Sequence, residues 1–77
     1  MCLAIPAKVL EIHNDHLATV EILGLTRCLA LDLIPQAAIG DFVLVHAGYG
    51  IEIVSEEFAR ETLDLIREFP ELVEFDR

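Results

Sequence analysis

The first half of the chain alternates between apolar and polar residues in short runs, which is the period of β-strands. Residues 8–12 and 17–22 are two such runs, and the polar cluster 13–16 separates them. In the second run, alternate apolar side chains would share one face of the strand: Ala18, Val20 and Ile22. Two alternating runs around a loop rich in turn-forming residues predict a β-hairpin.

Three more strands are predicted before residue 55. Gly24 provides the next bend, because glycine adopts positive φ at little cost. The run 26–33 follows, and Pro35 ends it, because proline has no N–H to donate to a ladder. Alternate leucines would share one face of this run: Leu29, Leu31 and Leu33. Residues 42–46 are apolar at consecutive positions, as in a strand buried on both faces, and 51–54 would form a short last strand.

The period of the pattern lengthens after Ser55, which is a favourable helix N-cap. Apolar or β-branched side chains then recur every three or four positions and would form one stripe along a helix: Phe58, Thr62, Leu63, Ile66 and Phe69. Glu56 and Glu57 would lie in the first turn, where the helix dipole favours negative charge. Pro70 would end the helix.

Length and composition favour one compact domain. The chain has 77 residues, of which 55% are hydrophobic, so it is too short for two domains and too apolar for disorder. We predict a mainly β fold, in which a small five-stranded OB-fold-like barrel over residues 1–54 is followed by one C-terminal helix over 55–69 and an acidic tail over 70–77. So high an apolar content also leaves apolar surface for a partner.

The charge distribution argues against nucleic acid and anionic membranes as partners. The net charge is −9, with five acids and two bases in residues 1–51 and nine acids and three bases in 52–77. Nucleic-acid binders need clustered lysine and arginine. No apolar run is long enough for a transmembrane helix, and the N-terminus lacks the basic leader of a signal peptide. With only two cysteines, we expect a cytoplasmic protein whose thiols are free.

Independent catalysis is not indicated by the sequence. Its single serine, Ser55, is accounted for as a helix cap, and it contains no glycine-rich phosphate loop, nucleophile elbow or His-Glu-x-x-His motif. A barrel of this size is filled by its own side chains. We therefore expect a protein that is not an enzyme and holds no permanent cofactor.

Three histidines and Cys28 each have a functional and a simpler structural interpretation. His13 and His16 flank the first hairpin turn at a spacing that two imidazoles could use for a metal, but turns are polar in any case. His46 ends an otherwise apolar strand, where a hydrogen bond to a backbone carbonyl at the barrel rim is the simpler role. Cys28 would share a strand face with Asp32 and so be partly exposed, and it is interpreted as a small structural filler, the commonest role of a free cysteine.

Cys2 is the residue that packing explains least, because its position leaves little chain on one side to bury it. Its small side chain permits removal of Met1, and a neighbouring α-ammonium would favour the thiolate, the form that attacks and that binds soft metals. Pro6 stiffens the segment that follows. From the residues alone, a functional and an incidental Cys2 stay equally open.

Two blocks of sequence resemble the signatures of one protein family. The first block is Met1-Cys2-Leu3-Ala4-Ile5-Pro6. The second is Val43-Leu44-Val45-His46-Ala47-Gly48-Tyr49, preceded by Gly40-Asp41. Together they resemble the HypC/HupF family of nickel–iron hydrogenase maturation chaperones, and the resemblance extends over the whole chain, including the helix.

That resemblance implies both a fold and a function. The fold would be an OB-like barrel with a C-terminal helix. The function would be to bind the scaffold protein HypD and to deliver an iron that carries cyanide and carbon monoxide ligands to the precursor of the hydrogenase large subunit. The iron would be held only transiently. The residues implied as partner-binding are Cys2, Pro6, His46, Gly48 and Tyr49. Cys2 would contact the iron or a partner cysteine, and His46 would be a second ligand or an orienting group.

A generic OB-type module that binds a peptide or nucleic acid is the alternative. Such a module needs basic and aromatic residues on one sheet face. The predicted barrel offers few of either: Lys8 and Arg27 as bases, and Phe42 and Tyr49 as aromatic residues.

Overall fold

The computed structural model describes residues 4–69, which form five strands, one 3₁₀ turn and one α-helix. The strands are β1 (Ile5–Ile12), β2 (Leu17–Ile22), β3 (Leu25–Ala30), β4 (Phe42–His46) and β5 (Tyr49–Val54), and the helix is α1 (Glu56–Glu68). The strands close into a barrel in the order β1-β2-β3-β5-β4. Only the β3–β5 pair is parallel. The predicted mainly β architecture, a five-stranded barrel followed by a helix, is confirmed.

The barrel interior is filled by small apolar side chains. Five of them are at most 1% exposed: Ala7, Val9, Ala18, Val20 and Val43. Val9 lies opposite Val20 across β1 and β2, and Ala7 lies opposite Val43 across β1 and β4. The larger side chains of Leu29, Leu31 and Ile34 complete the same cluster. Burial of this apolar surface provides the main free energy of folding.

The first hairpin forms as the alternating pattern predicts. β1 pairs with β2 in antiparallel register, and a 3₁₀ turn at Asn14–His16 connects them. The three apolar side chains predicted to share one face of β2 are all buried: Ala18, Val20 and Ile22. Thr19 and Glu21 lie on the other face, which is more exposed. The alternation thus correctly identifies the inner face of the barrel.

Four strand boundaries differ from the prediction, and two of these are earlier starts: β1 begins at Ile5 rather than residue 8, and β3 begins at Leu25 rather than residue 26. β3 ends at Ala30 rather than residue 33, because the chain then leaves the sheet and closes successive turns through hydrogen bonds from Ile34 N–H to Leu31 C=O and from Ala37 N–H to Ile34 C=O, both 3.0 Å. Leu33 is consequently 63% exposed instead of facing the core. β5 begins at Tyr49 rather than residue 51, because the preceding turn needs only two residues.

The C-terminal helix begins where the capping pattern predicts. The Ser55 hydroxyl accepts a hydrogen bond from the Phe58 N–H at 3.1 Å. α1 packs on β1 and β4. The helix ends at Glu68, and the predicted stop at Pro70 and the acidic tail 70–77 lie outside the described residues. Within residues 4–69 no helix is long and apolar enough to cross a membrane.

The predicted single apolar stripe of the helix is only partly buried. Ala59 and Ile66 are buried and Leu63 packs against the core, but Phe58 is 47% and Phe69 is 46% exposed. Successive residues of an α-helix are rotated by about 100° around its axis. The buried face of α1 is therefore turned by about 100° from the side that carries Phe58. The predicted stripe therefore combined residues from two adjacent sides of the helix, and only one of these sides faces the barrel.

Candidate functional site

The hairpin between β4 and β5 carries three of the predicted site residues. His46 ends β4, Tyr49 begins β5, and Ala47 and Gly48 form the turn between them. Both turn residues have positive φ, 55° at Ala47 and 85° at Gly48, as a two-residue type I′ turn requires. Glycine is favoured at the second position because an L side chain is strained at that φ, although the surrounding space is open. The backbone conformation therefore accounts for Gly48.

His46 and Tyr49 are brought together by this turn. They lie directly opposite one another across β4 and β5, so their side chains share one face of the barrel. Both are exposed to solvent, Tyr49 by 47%. The structure therefore places an imidazole and a phenol side by side on the outer surface, at one end of the barrel.

The same face continues across two further strands. Tyr49 lies beside Ala30 on β3, and Ala30 lies opposite Leu17 on β2. Because the neighbouring Ala18 is buried inside the barrel, Leu17 points outward. We call the four residues Leu17, Ala30, Tyr49 and His46 the outer row. A hydrogen bond of 3.0 Å from the Ala30 N–H to the Gly48 C=O fixes the turn against β3.

Sequence reasoning missed Leu17 and Ala30 as members of this surface. The alternation of β2 does single out Leu17, because this apolar residue falls on the polar face of the strand together with Thr19 and Glu21. Leu17 is 40% exposed in the folded chain and adjoins Ala30, which adjoins Tyr49. It is this continuity, and not one exposed leucine, that indicates a contact surface. No pattern within one strand could have placed Ala30 beside Tyr49, because their pairing joins strands that are not consecutive.

A small cluster of polar side chains lies on β1, β2 and the turn that connects them. The His13 ring Nε2 lies 2.8 Å from the Thr19 hydroxyl and 3.6 Å from a Glu11 carboxylate oxygen. These contacts agree with the interpretation of His13 as a polar turn residue. Among residues 4–69, no three His, Cys, Asp or Glu side chains are grouped closely enough to bind a metal ion.

Cys28 does not fill the core. It lies opposite Thr19 on the outer face and is an exposed free thiol. Its predicted exposure on the face opposite to Leu29 is confirmed, but a packing role is not, because the alternation of β3 turns Leu29 inward and Cys28 outward.

Pro6 is placed differently from the other predicted partner-binding residues. It is less than 2% exposed and lies opposite Leu44 across β1 and β4. Its neighbours Ile5 and Ala7 are buried as well, so both faces of β1 are covered at this point. The helix α1 packs on the same two strands, β1 and β4. In this structure the Pro6 side chain is not available to a partner. It closes the packing at the start of β1. Cys2 lies outside the described residues.

Three basic side chains gather in a different part of the surface. Lys8, Arg60 and Arg67 line an open cavity of about 360 Å³ between the barrel and the helix, together with Glu21 and Asp64. Arg67 is paired with Asp64 at 3.1 Å, and Arg60 forms an ion pair with the Glu56 carboxylate. The basic groups are thus largely compensated by acids, and none of the residues that line this cavity belongs to the outer row.

Comparison with known proteins identifies relatives along most of the chain. The model of the HupF/HypC family matches residues 1–66. The hydrogenase maturation factor HypC of Helicobacter hepaticus is 50% identical over 66 residues, which cover 84% of this chain and 77% of that protein. The factor HypC of Cupriavidus necator is 41% identical over 68 residues, covering 88% and 76%. The factor HybG of Escherichia coli K12 is 38% identical over 74 residues, covering 88% and 90%.

Proposed function

The chain belongs to the HupF/HypC family of hydrogenase maturation factors, and we propose that it acts as a nickel–iron hydrogenase maturation chaperone through Cys2. In this proposal it binds the scaffold protein HypD. It then delivers an iron carrying cyanide and carbon monoxide ligands to the precursor of the hydrogenase large subunit. The iron group is cargo, held for the time of transfer only.

The register between β1 and β4 is the observation that supports this proposal most directly. Ile5 lies opposite Val45, which places the beginning of β1 next to the end of β4 and therefore next to His46. Cys2 precedes Ala4 by two peptide units, so their Cα atoms can be at most about 7 Å apart. This covalent limit allows the Cys2 thiol to approach the imidazole, as the proposal requires.

The chemistry of this pair suits the proposed cargo. Thiolate is a soft ligand and imidazole is a common ligand of iron. In the proposal, both groups would contact an iron group that a partner protein presents, while the partner supplies the remaining ligands. Cys2 would contact the iron or lie against a partner cysteine, and His46 would be a second ligand or would orient the group.

The outer row suits a protein partner better than a small molecule. It runs across four strands and contains no formally charged side chain, although the protein carries a net charge of −9. Tyrosine is enriched in protein interfaces because its ring buries a large apolar area while its hydroxyl can still form a hydrogen bond. The outer row would therefore dock HypD next to the residues that handle iron.

Replacement of Cys2 tests the proposal. In the native host, Cys2→Ala should abolish hydrogenase maturation and weaken co-purification with HypD. Cys28→Ala is the matched control, because it removes an exposed thiol that is not a member of the outer row, and it should change neither readout. If both hydrogenase maturation and HypD binding were unchanged in Cys2→Ala, the proposal would be wrong.

A second pair of variants tests the docking surface. Tyr49→Ser and Leu17→Ser should each weaken HypD binding about tenfold, as expected for the loss of an apolar interface contact worth about 1.4 kcal/mol. Leu25→Ser is the control, because Leu25 is equally exposed, at 50%, but lies outside the outer row. If Leu25→Ser weakened binding as much as Tyr49→Ser, the outer row would not be the docking surface.

A further inference from the structure

The solvent-facing side of α1 carries an apolar row that no other part of the described chain covers. Phe58 and Leu65 on the helix and Phe69 at its C-cap are 47%, 51% and 46% exposed, and their spacing of seven and four residues places them on one side. Thr62 lies between them, and its hydroxyl donates a hydrogen bond to the Phe58 C=O at 2.8 Å. The hydroxyl is thus satisfied within the helix and does not interrupt the apolar row with an unpaired polar group.

An acidic row runs beside the apolar row. It consists of Glu57, Glu61, Asp64 and Glu68, each of which precedes by one residue either Thr62 or a member of the apolar row. All four are exposed. Asp64 is paired with Arg67, whereas among residues 4–69 no base forms an ion pair with the other three. Arg60 lies toward the cavity between the helix and the barrel. Arg67 borders the acidic row, because it pairs with Asp64 and lines one shallow surface pocket with Glu61, Leu65 and Glu68.

We propose that these two rows form a second docking site, which binds an amphipathic basic helix of a partner protein. The apolar ridge of that helix would pack on Phe58, Leu65 and Phe69. Its lysines or arginines, one row to the side, would face the acidic row. A helix with both features matches the surface, because apolar packing gives affinity while paired charges fix register and accelerate association. The site is separate from the outer row and goes beyond the proposed function.

The charges of the surface disfavour the other possible occupants. A second copy of this chain has no basic row beside its own apolar row, and two chains of net charge −9 repel each other. Residues 71–77 hold three acids and one base, so they cannot neutralise the acidic row either. An anionic lipid surface would be repelled for the same reason.

Designed peptides test this site on the full chain. The probe is a labelled 18-residue helical peptide with leucines spaced like the apolar row and lysines in the adjacent row, and its counterpart carries glutamates in place of the lysines. In fluorescence anisotropy the lysine peptide should bind at least tenfold more tightly than the glutamate peptide. Its affinity should fall as salt rises, because exposed charges are screened beyond about 10 Å at 0.1 M ionic strength.

Variants of the protein locate the binding. Leu65→Ser should weaken binding of the lysine peptide about tenfold, a loss of about 1.4 kcal/mol. Leu25→Ser, an equally exposed leucine on β3, should leave binding unchanged. The triple variant Glu57→Lys, Glu61→Lys, Glu68→Lys should reverse the preference between the two peptides. Cys2→Ala should bind the lysine peptide like the unchanged chain, so failure of this site is distinguishable from failure of the proposed function.

Several results would overturn the proposal. Equal binding of the two peptides, or an equal loss in Leu25→Ser and Leu65→Ser, would show that the acidic and apolar rows do not act together. A dimer in gel filtration that is lost in Leu65→Ser would assign the apolar row to a second copy of the chain. Binding of the chain to phosphatidylglycerol vesicles that is lost in Leu65→Ser would assign it to lipid.

Discussion

The barrel and the helix differ in how they use their apolar residues. In the barrel, residues such as Ala7, Val20 and Val43 are fully buried, and each is matched by an apolar side chain on a neighbouring strand. On α1, Ile66 packs into the core while Leu65 beside it is 51% exposed. The difference shows that regularly spaced apolar residues can either pack in the core or stay exposed as a surface for a partner, depending on which face of the element they occupy.

The largest expected effect is in the barrel. Leu29→Ala removes a side chain that is 4% exposed and leaves a cavity in a closed sheet. It should lower the free energy of unfolding by about 3 kcal/mol, within the range of leucine-to-alanine changes in cores. Urea denaturation followed by far-UV circular dichroism measures this loss. A loss below 1 kcal/mol would mean that the barrel interior is not closely packed around Leu29.

Ile66 tests whether the helix and barrel unfold together. Ile66 is 4% exposed and belongs to the same core cluster as the barrel residues, so Ile66→Ala should cost about 2 kcal/mol in one cooperative transition. Tyr49 is the single tyrosine of a chain without tryptophan, so its fluorescence reports on the barrel while circular dichroism at 222 nm reports on α1. Separate midpoints for these two signals would show that the helix detaches from an intact barrel.

Ser55 tests how much the helix depends on its own cap. Ser55→Ala removes the acceptor of the Phe58 N–H and should lower the free energy of unfolding by about 1 kcal/mol. Ser55→Asp keeps a side-chain oxygen at the same position and should restore most of that stability. If both variants were equally destabilised, the contribution of Ser55 would not come from capping.

The smallest expected effect is at Leu65. Leu65→Ala should change the free energy of unfolding by no more than about 0.5 kcal/mol, because half of the side chain is already in water. It makes the same chemical change as Leu29→Ala, so the two variants compare the barrel and the helix directly in one denaturation series. A loss at Leu65 that approaches the loss at Leu29 would contradict the assignment of Leu65 to a free surface.

Much of the candidate site could be predicted from sequence, and the rest depends on strand pairing. The two signature blocks indicated His46, Gly48 and Tyr49, and the turn between β4 and β5 brings these three together. Pro6 belongs to the same signatures, yet its side chain is buried. A signature records that a residue matters to the family. It does not distinguish a residue that touches a partner from one that is buried within the fold.

Local pattern by itself determined the strands, the turns and the helix start of this protein. Alternation identified the buried face of β2, and Ser55 marked the beginning of α1, because both signals act between residues close in the chain. Tertiary structure alone decided where β3 ends, which side of α1 faces the barrel, and that Leu17 and Ala30 line up with Tyr49. Those features depend on pairing between distant segments, and the closure of the barrel sets that pairing.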